Sequence, residues 1–368
     1  MRFFDKYTSN SIGAGANQHY FEMKRGEVCT SRAYFKIAHG GEYEYSLLFS
    51  GILDGNFRRI SYANEPCGGW VIHSGRIGRC KVIPATDRLD LLVMDEDIVT
   101  EWLCEMTFDG GKAEKSVEAE LFCTDPMRLS FESGEFIAVE LTFSGERIPC
   151  HPESLLPIYK KVGDGWEYSV KMPVPTMIGC DRQVSERVAF LGDSITQGCG
   201  SGFNAYRHWN AILAEMIGGD RAFWNIGIGY GTATAAASDG VWLGKAKEND
   251  TVFLCFGVND INSGHTADEV IGDISRIIDL LCEAGCRIIL QTVPPFNYPE
   301  GKKEVWLAVT KAIKSELTEK VAAVFDCVPL LSESEERPEV TKYGGHPDGV
   351  GCLVWANALY DAIKPMFK

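Results

Sequence analysis

Through the first half of the chain, apolar and polar residues alternate with a period of two. Ala33, Phe35 and Ile37 fall on one face. So do Tyr43, Tyr45, Leu47 and Phe49, then Val117, Ala119, Leu121 and Cys123, then Ile137, Val139, Leu141 and Phe143. In extended chain every second side chain points the same way, so each run predicts a strand with one buried face. Glycine-containing breaks, HGGEYE, CGGW and DGGK, separate the runs. Many short strands with turn signals between them predict an all-β sandwich or jelly roll.

The pattern then changes. RVAFLG (187–192), AFWNIG (222–227), TVFLCFG (251–257) and RIILQTV (287–293) are short continuous apolar runs, with VAAVFD (321–326) a weaker one. Helical stretches lie between them. Thr266 and Glu269 have capping-box spacing, and Val270, Ile274, Ile277, Ile278 and Leu281 follow a period of 3.6. Val305, Val309, Ile313 and Leu317 repeat it, and a last helix is predicted over 351–364. Strands that alternate with helices imply an α/β fold with a parallel sheet covered on both faces. Between the halves, MPVPTMIGCDRQVSE (172–186) carries two prolines and little periodicity. The expected organisation is an N-terminal β-sandwich at 1–175, a linker at 176–186 and an α/β domain at 187–368. A chain of 368 residues is long enough for two cores.

Charge narrows the partners. With 36 basic and 51 acidic side chains the formal charge is −15. Such a surface repels phosphate backbones and anionic lipids, so neither nucleic acid nor membrane is expected as a partner. No run of ~18 apolar residues predicts a membrane span, and the N-terminal MRFFDKYTSNSIG lacks the apolar core of a signal peptide. Thirteen scattered cysteines, an odd number, fit reduced buried thiols and a cytoplasmic setting. No set of four suitably spaced ligands suggests zinc, and neither a metal nor another cofactor is expected. The acidic run SESEERPE (332–339) reads as a solvated loop. Whether the chain forms a homo-oligomer stays open.

In parallel α/β sheets ligands gather at the carboxyl ends of the strands. Three polar clusters fall there. In LGDSITQGCG (191–200), Ser194 follows a strand and opens helix-compatible sequence. A hydroxyl there can attack a carbonyl while nearby amides receive the oxyanion; equally, the serine can be a helix cap. In GVND (257–260), Asn259 offers a side-chain amide at the sheet rim or simply tolerates a turn. NIGIGYGTA (225–233) has glycines that let backbone approach a ligand, or forms an ordinary loop. Near the C-terminus, YGGHPDGVG (343–351) holds His346, one of seven histidines.

Together these residues resemble the SGNH/GDSL hydrolase superfamily over roughly residues 186–366. GDSIT matches its first block, NIGIGYG falls at its second, GVND matches its third and GGHP falls at its fifth, in the family's order. The resemblance implies a flavodoxin-like five-stranded sheet and an esterase or acyl-transfer role. It implies Ser194 as nucleophile, His346 as base, and an oxyanion hole from the Ser194 amide, Asn259 and a second-block amide. Two departures stand out. Tyr343 occupies the position where the family carries an aspartate three residues before the histidine. Tyr230 occupies the position of the second-block glycine, leaving Gly229, Gly231 or Tyr230 itself as amide donor. The group that orients His346 is Asp348, Asp326, a backbone carbonyl, or none. Some SGNH-like carbohydrate esterases work with a Ser–His dyad behind a β-sandwich, and this chain is similar in both respects. Asp193 is expected to shape the nucleophile turn. The expected substrate is a small-molecule or oligosaccharide ester with a short acyl group, acetyl above all. No long apolar lid is evident. The competing readings are a lipid esterase or thioesterase, and a carbohydrate-binding protein with an impaired site. Trp70, Trp102 and Trp166 are read as core residues before sugar platforms, and the same holds for Trp209, Tyr230, Phe296 and Trp306 around the pocket.

Overall fold

The computed structural model describes residues 2–13, 15–55, 64–86, 98–151, 155–169 and 171–367. Its N-terminal half is built from antiparallel strands. One sheet runs Thr8–Ser9, Met177–Cys180, Gly41–Ser50, Leu121–Cys123, with Met127–Phe131 also paired to Gly41–Ser50. A seven-stranded sheet runs Gly165–Tyr168, Ile158–Val162, Cys29–Lys36, Phe136–Ser144, Val71–Cys80, Val99–Glu105, with Lys115–Ser116 added on Val71–Cys80. Phe35, Val139 and Leu141 of the larger sheet share one buried apolar cluster with Tyr45, Leu47 and Phe49 of the smaller. The alternating faces read from the sequence therefore pack against each other.

Two expectations need correction. Residues 117–123 do not form one strand: pairing covers Lys115–Ser116 and Leu121–Cys123, on different sheets. The chain crosses between the sheets there, which a single period-two run cannot show. The expected linker also contains a strand. Met177–Cys180 pairs with Gly41–Ser50 and Thr8–Ser9, so the sandwich extends past residue 175. All four of its residues are buried, so no alternation marked it as a strand.

The C-terminal sheet has five parallel strands ordered Arg221–Asn225, Glu186–Gly192, Thr251–Cys255, Arg287–Gln291, Ala323–Phe325. In chain order this is 2-1-3-4-5, the flavodoxin-like arrangement, with its switch point beside the first strand. Helix Ala267–Glu283 begins with the expected capping box at Thr266 and buries Val270, Ile274, Ile277, Ile278 and Leu281. The last helix spans Gly349–Ile363. Ala16, Leu48 and Met177 of the N-terminal half belong to the same apolar core as this sheet. No helix among the described residues is long and apolar enough to cross a membrane.

Candidate active site

Register decides which loops meet. The first and third strands of the parallel sheet are neighbours, with Gly192 paired to Cys255. GDS and GVND therefore leave the same sheet edge side by side. At the first, the chain turns at Asp193, whose Oδ1 accepts the Ile195 N–H at 2.9 Å and starts the helix Ser194–Gln197. A Cβ on Gly192 would overlap the Thr196 side chain and the Cys255 carbonyl, so only glycine closes this turn. Burial pushes the Asp193 carboxyl up to about 7. Ser194 is 8% exposed, and its N–H makes no hydrogen bond among the described residues.

His346 lies in the turn that leads into the last helix. Its Nε2 is 2.7 Å from Ser194 Oγ, across 152 positions of sequence. The Phe296 ring meets the imidazole edge-on, with centroids 5.6 Å apart. Burial holds the His346 pKa below its ordinary value, and no neighbouring carboxylate among the described residues counters it. Burial of this kind favours the neutral imidazole, the form that can accept a proton.

The two aspartates considered as partners for His346 are engaged elsewhere. Asp348 caps the last helix, its Oδ1 accepting from the N–H groups of Val350 and Gly351 at 3.0 and 2.8 Å. Asp326 accepts from Thr292 Oγ1 and the Val328 N–H and pairs with Lys314. Neither bonds to His346 among the described residues. Tyr343, at the family's aspartate position, packs beside Gly351 of the last helix, where a Cβ would overlap it.

Asn259 sits in helix Val258–Ser263, just past the third strand. Its Nδ2 donates to the Gly231 carbonyl at 3.0 Å, which fixes the amide and leaves its second N–H for another acceptor. Of the second-block amides, Gly231 is spent: its N–H donates to the Ile228 carbonyl at 3.0 Å, closing the turn. That removes Gly231 as a donor, since a backbone N–H already used in a short turn is not free for substrate. Gly229 makes no such bond among the described residues. Tyr230 has φ +57°, in the left-handed region that favours glycine, at a cost of roughly 1–2 kcal/mol for an L-residue.

One residue escaped the sequence reading. Asp260, fully buried, accepts from the N–H groups of Ala233 and Thr234 at 3.1 and 3.3 Å. It holds the second-block loop against the third block. Its place next to Asn259 in GVND was the available signal. The aromatic residues divide clearly. Trp70, Trp209 and Trp306 are core residues. Trp102 and Trp166 are half-buried and packed against Arg32, and Arg76 also lies over the Trp102 ring. Phe296 lies at the site, against His346.

Residues 190–352 match the model of the GDSL-like Lipase/Acylhydrolase family. No curated protein matches the chain significantly. Among solved structures it is similar to a carbohydrate esterase family 3 protein from Talaromyces cellulolyticus, at 19% identity over 50% of this chain and 98% of that one, TM-score 0.39. It is also similar to an acetyl-xylooligosaccharide esterase from Geobacillus, at 20% identity over 50% and 95%, TM-score 0.37. A third is a GDSL-like lipase from Bacteroides thetaiotaomicron, at 19% identity over 50% and 92%, TM-score 0.39.

Proposed function

The chain carries a GDSL-like lipase/acylhydrolase domain over residues 190–352, and from that premise we propose that it is a serine carboxylic-ester hydrolase in which Ser194 and His346 act as a dyad on short-acyl, chiefly acetyl, esters of a carbohydrate. The observation that carries this reading is the 2.7 Å contact between Ser194 Oγ and His346 Nε2, in surroundings whose burial favours the neutral imidazole. His346 takes the hydroxyl proton as Ser194 Oγ bonds to the ester carbonyl carbon. The negative charge that forms on the carbonyl oxygen is held by the Ser194 N–H, the spare N–H of Asn259 and a second-block amide, that of Gly229 or Tyr230. The imidazolium then gives its proton to the leaving alcohol. Water attacks the acyl-enzyme, gives a proton to the same nitrogen, and the acid departs as Ser194 recovers its hydrogen. No carboxylate has to be charged or discharged in this cycle. The Asn259–Gly231 bond keeps the donor aimed before substrate arrives, so little reorganisation is needed.

A fluorophosphonate probe tests the nucleophile: adduct formation on Ser194, lost in Ser194→Ala, is expected. A serine that stays unlabelled would favour the binding-protein reading. A chain-length series of p-nitrophenyl esters tests the acyl group. Preference for octanoate over acetate would move the assignment to a lipid esterase or thioesterase.

Two further outcomes follow from the geometry. Asn259→Ala should lower kcat by ~10²–10³-fold, about 2.7–4 kcal/mol, with a smaller change in KM, because the lost bond strengthens as charge develops. Steady-state kinetics on p-nitrophenyl acetate read this directly. The pH profile of kcat/KM should rise as His346 loses its proton. Since burial depresses that pKa, the midpoint should fall below the ordinary histidine value of about 6.5. A midpoint above 7 would mean that a charged partner raises the imidazole pKa, contrary to a dyad.

A further inference from the structure

Asp260 is one member of a polar cluster drawn from three segments. It lies in helix Val258–Ser263, His265 lies in the turn that follows, and Asp273 lies in helix Ala267–Glu283. Thr234 comes from helix Ala233–Ala237, where the second-block loop ends. One donor atom each from Asp260, His265 and Asp273 all fall within 4.8 Å of one another. His265 Nδ1 is 3.9 Å from Asp260 Oδ1. The Thr234 hydroxyl stands among them. It donates to Asp273 Oδ2 at 2.5 Å, and its oxygen is 3.3 Å from His265 Nδ1.

Hydrogen bonds serve these groups but leave their charge uncompensated. Asp260 is wholly buried, and its oxygens accept from the neutral amides of Ala233 and Thr234. No lysine or arginine pairs with Asp260 or Asp273 among the described residues, and the ionisable neighbour of Asp260 is His265. Burial pushes the Asp260 carboxyl above its ordinary range. Buried charges in folded proteins are paired or coordinate metals. The spacing suits the second solution. Oxygen and imidazole nitrogen ligands lie about 2.0–2.2 Å from a small divalent ion, so two ligands on one ion are roughly 3–4.4 Å apart.

We propose that Asp260, His265 and Asp273 hold a divalent metal ion of the manganese type, through one carboxylate oxygen of each aspartate and His265 Nδ1, with the Thr234 hydroxyl beside it. Two carboxylates and one imidazole are a mixed oxygen and nitrogen set that suits such an ion. His265 and Asp273 are partly exposed, which gives the ion a way in from solvent. The bound ion ties helix Ala267–Glu283 to the loop that Asp260 anchors, next to Asn259. It takes no part in the proposed ester cleavage, and it stands or falls separately from that reading.

Mn²⁺ is the probe, because thirteen free thiols would also take up zinc. The chelator-treated chain is titrated with manganese chloride by isothermal calorimetry, and its Tm is followed over the same concentrations. One saturable site per chain is expected, with a Tm that rises as Mn²⁺ is added. His265→Gln and Asp273→Asn each remove one ligand and leave Asp260 with both amide bonds. Each should raise the Kd by roughly tenfold or more and remove most of the Tm rise. The metal-free Tm of each variant should stay near the native one, which separates loss of a ligand from loss of the fold. A native chain with no saturable Mn²⁺ binding would overturn the site. So would binding that both variants keep at native strength.

Discussion

Replacing Ser194 by alanine is expected to lower kcat by about 10⁴-fold or more, and His346→Ala should cost nearly as much. The double variant should be no worse than either single one. In the proposed dyad hydroxyl and imidazole act as one unit: removing the base leaves a serine that attacks poorly, and removing the serine leaves the base nothing to activate. The informative companions are Asp348→Asn and Asp326→Asn. Asparagine caps a helix about as well as aspartate, so the last helix should survive the first change. Both variants should keep kcat within about threefold of native, because neither carboxylate bonds to His346. A loss of ~10²-fold or more in either one would restore a triad and reject the dyad. Single-turnover kinetics with p-nitrophenyl acetate separate an effect on acylation from one on deacylation.

Lys245→Met should destabilise the whole protein by ~3–5 kcal/mol. Lys245 and Asp54 form an ion pair at 2.7 Å, with both side chains wholly shielded from solvent. Lys245 Nζ also donates to Thr176 Oγ1 at 2.9 Å, and Asp54 Oδ2 accepts from the Asn17 N–H at 2.6 Å. Removing the ammonium would leave a buried carboxylate with two of its bonds to charge and backbone reduced to one. The pair spans the two halves of the chain. Its loss should therefore lower a single cooperative unfolding transition rather than split it into two. Denaturant unfolding followed by tryptophan fluorescence and far-ultraviolet circular dichroism checks this. Lys245→Met combined with Asp54→Leu should recover part of the stability, because two matched apolar groups avoid the uncompensated charge. Separate transitions for the two probes would show that the domains are not joined through this contact.

The reason for one cooperative unit is visible in the packing. The strand Met177–Cys180 belongs to the sandwich, while Met177 contributes to the core of the parallel sheet. The Gly15 N–H donates to the Asn225 carbonyl at 3.0 Å, at the start of the second-block loop. The N-terminal half is thus pinned to the start of the loop proposed above to supply an oxyanion donor.

Much of this protein is legible in its sequence. Period-two alternation is a local property, set by the pleat of extended chain, so the strands Cys29–Lys36, Gly41–Ser50 and Phe136–Ser144 could be marked before any contact was known. The continuous apolar runs after residue 186 announced strands covered on both faces, and Thr266 with Glu269 marked a helix start. The residues of GDS and GVND could be named because each follows directly on such a run, and those of GGHP because they resemble a family block in the right order. Tertiary structure decided the rest, because each remaining question concerns competition among partners distant in sequence. Asp348 and Asp326 were equivalent candidates until helix capping and Lys314 were seen to occupy them. Gly231 was an available amide until the turn consumed it. Lys245 and Asp54, 191 positions apart, carry no local mark of the bond between them. A chain's own periodicity records which faces are buried; which polar group finds which partner is fixed only when those faces come together.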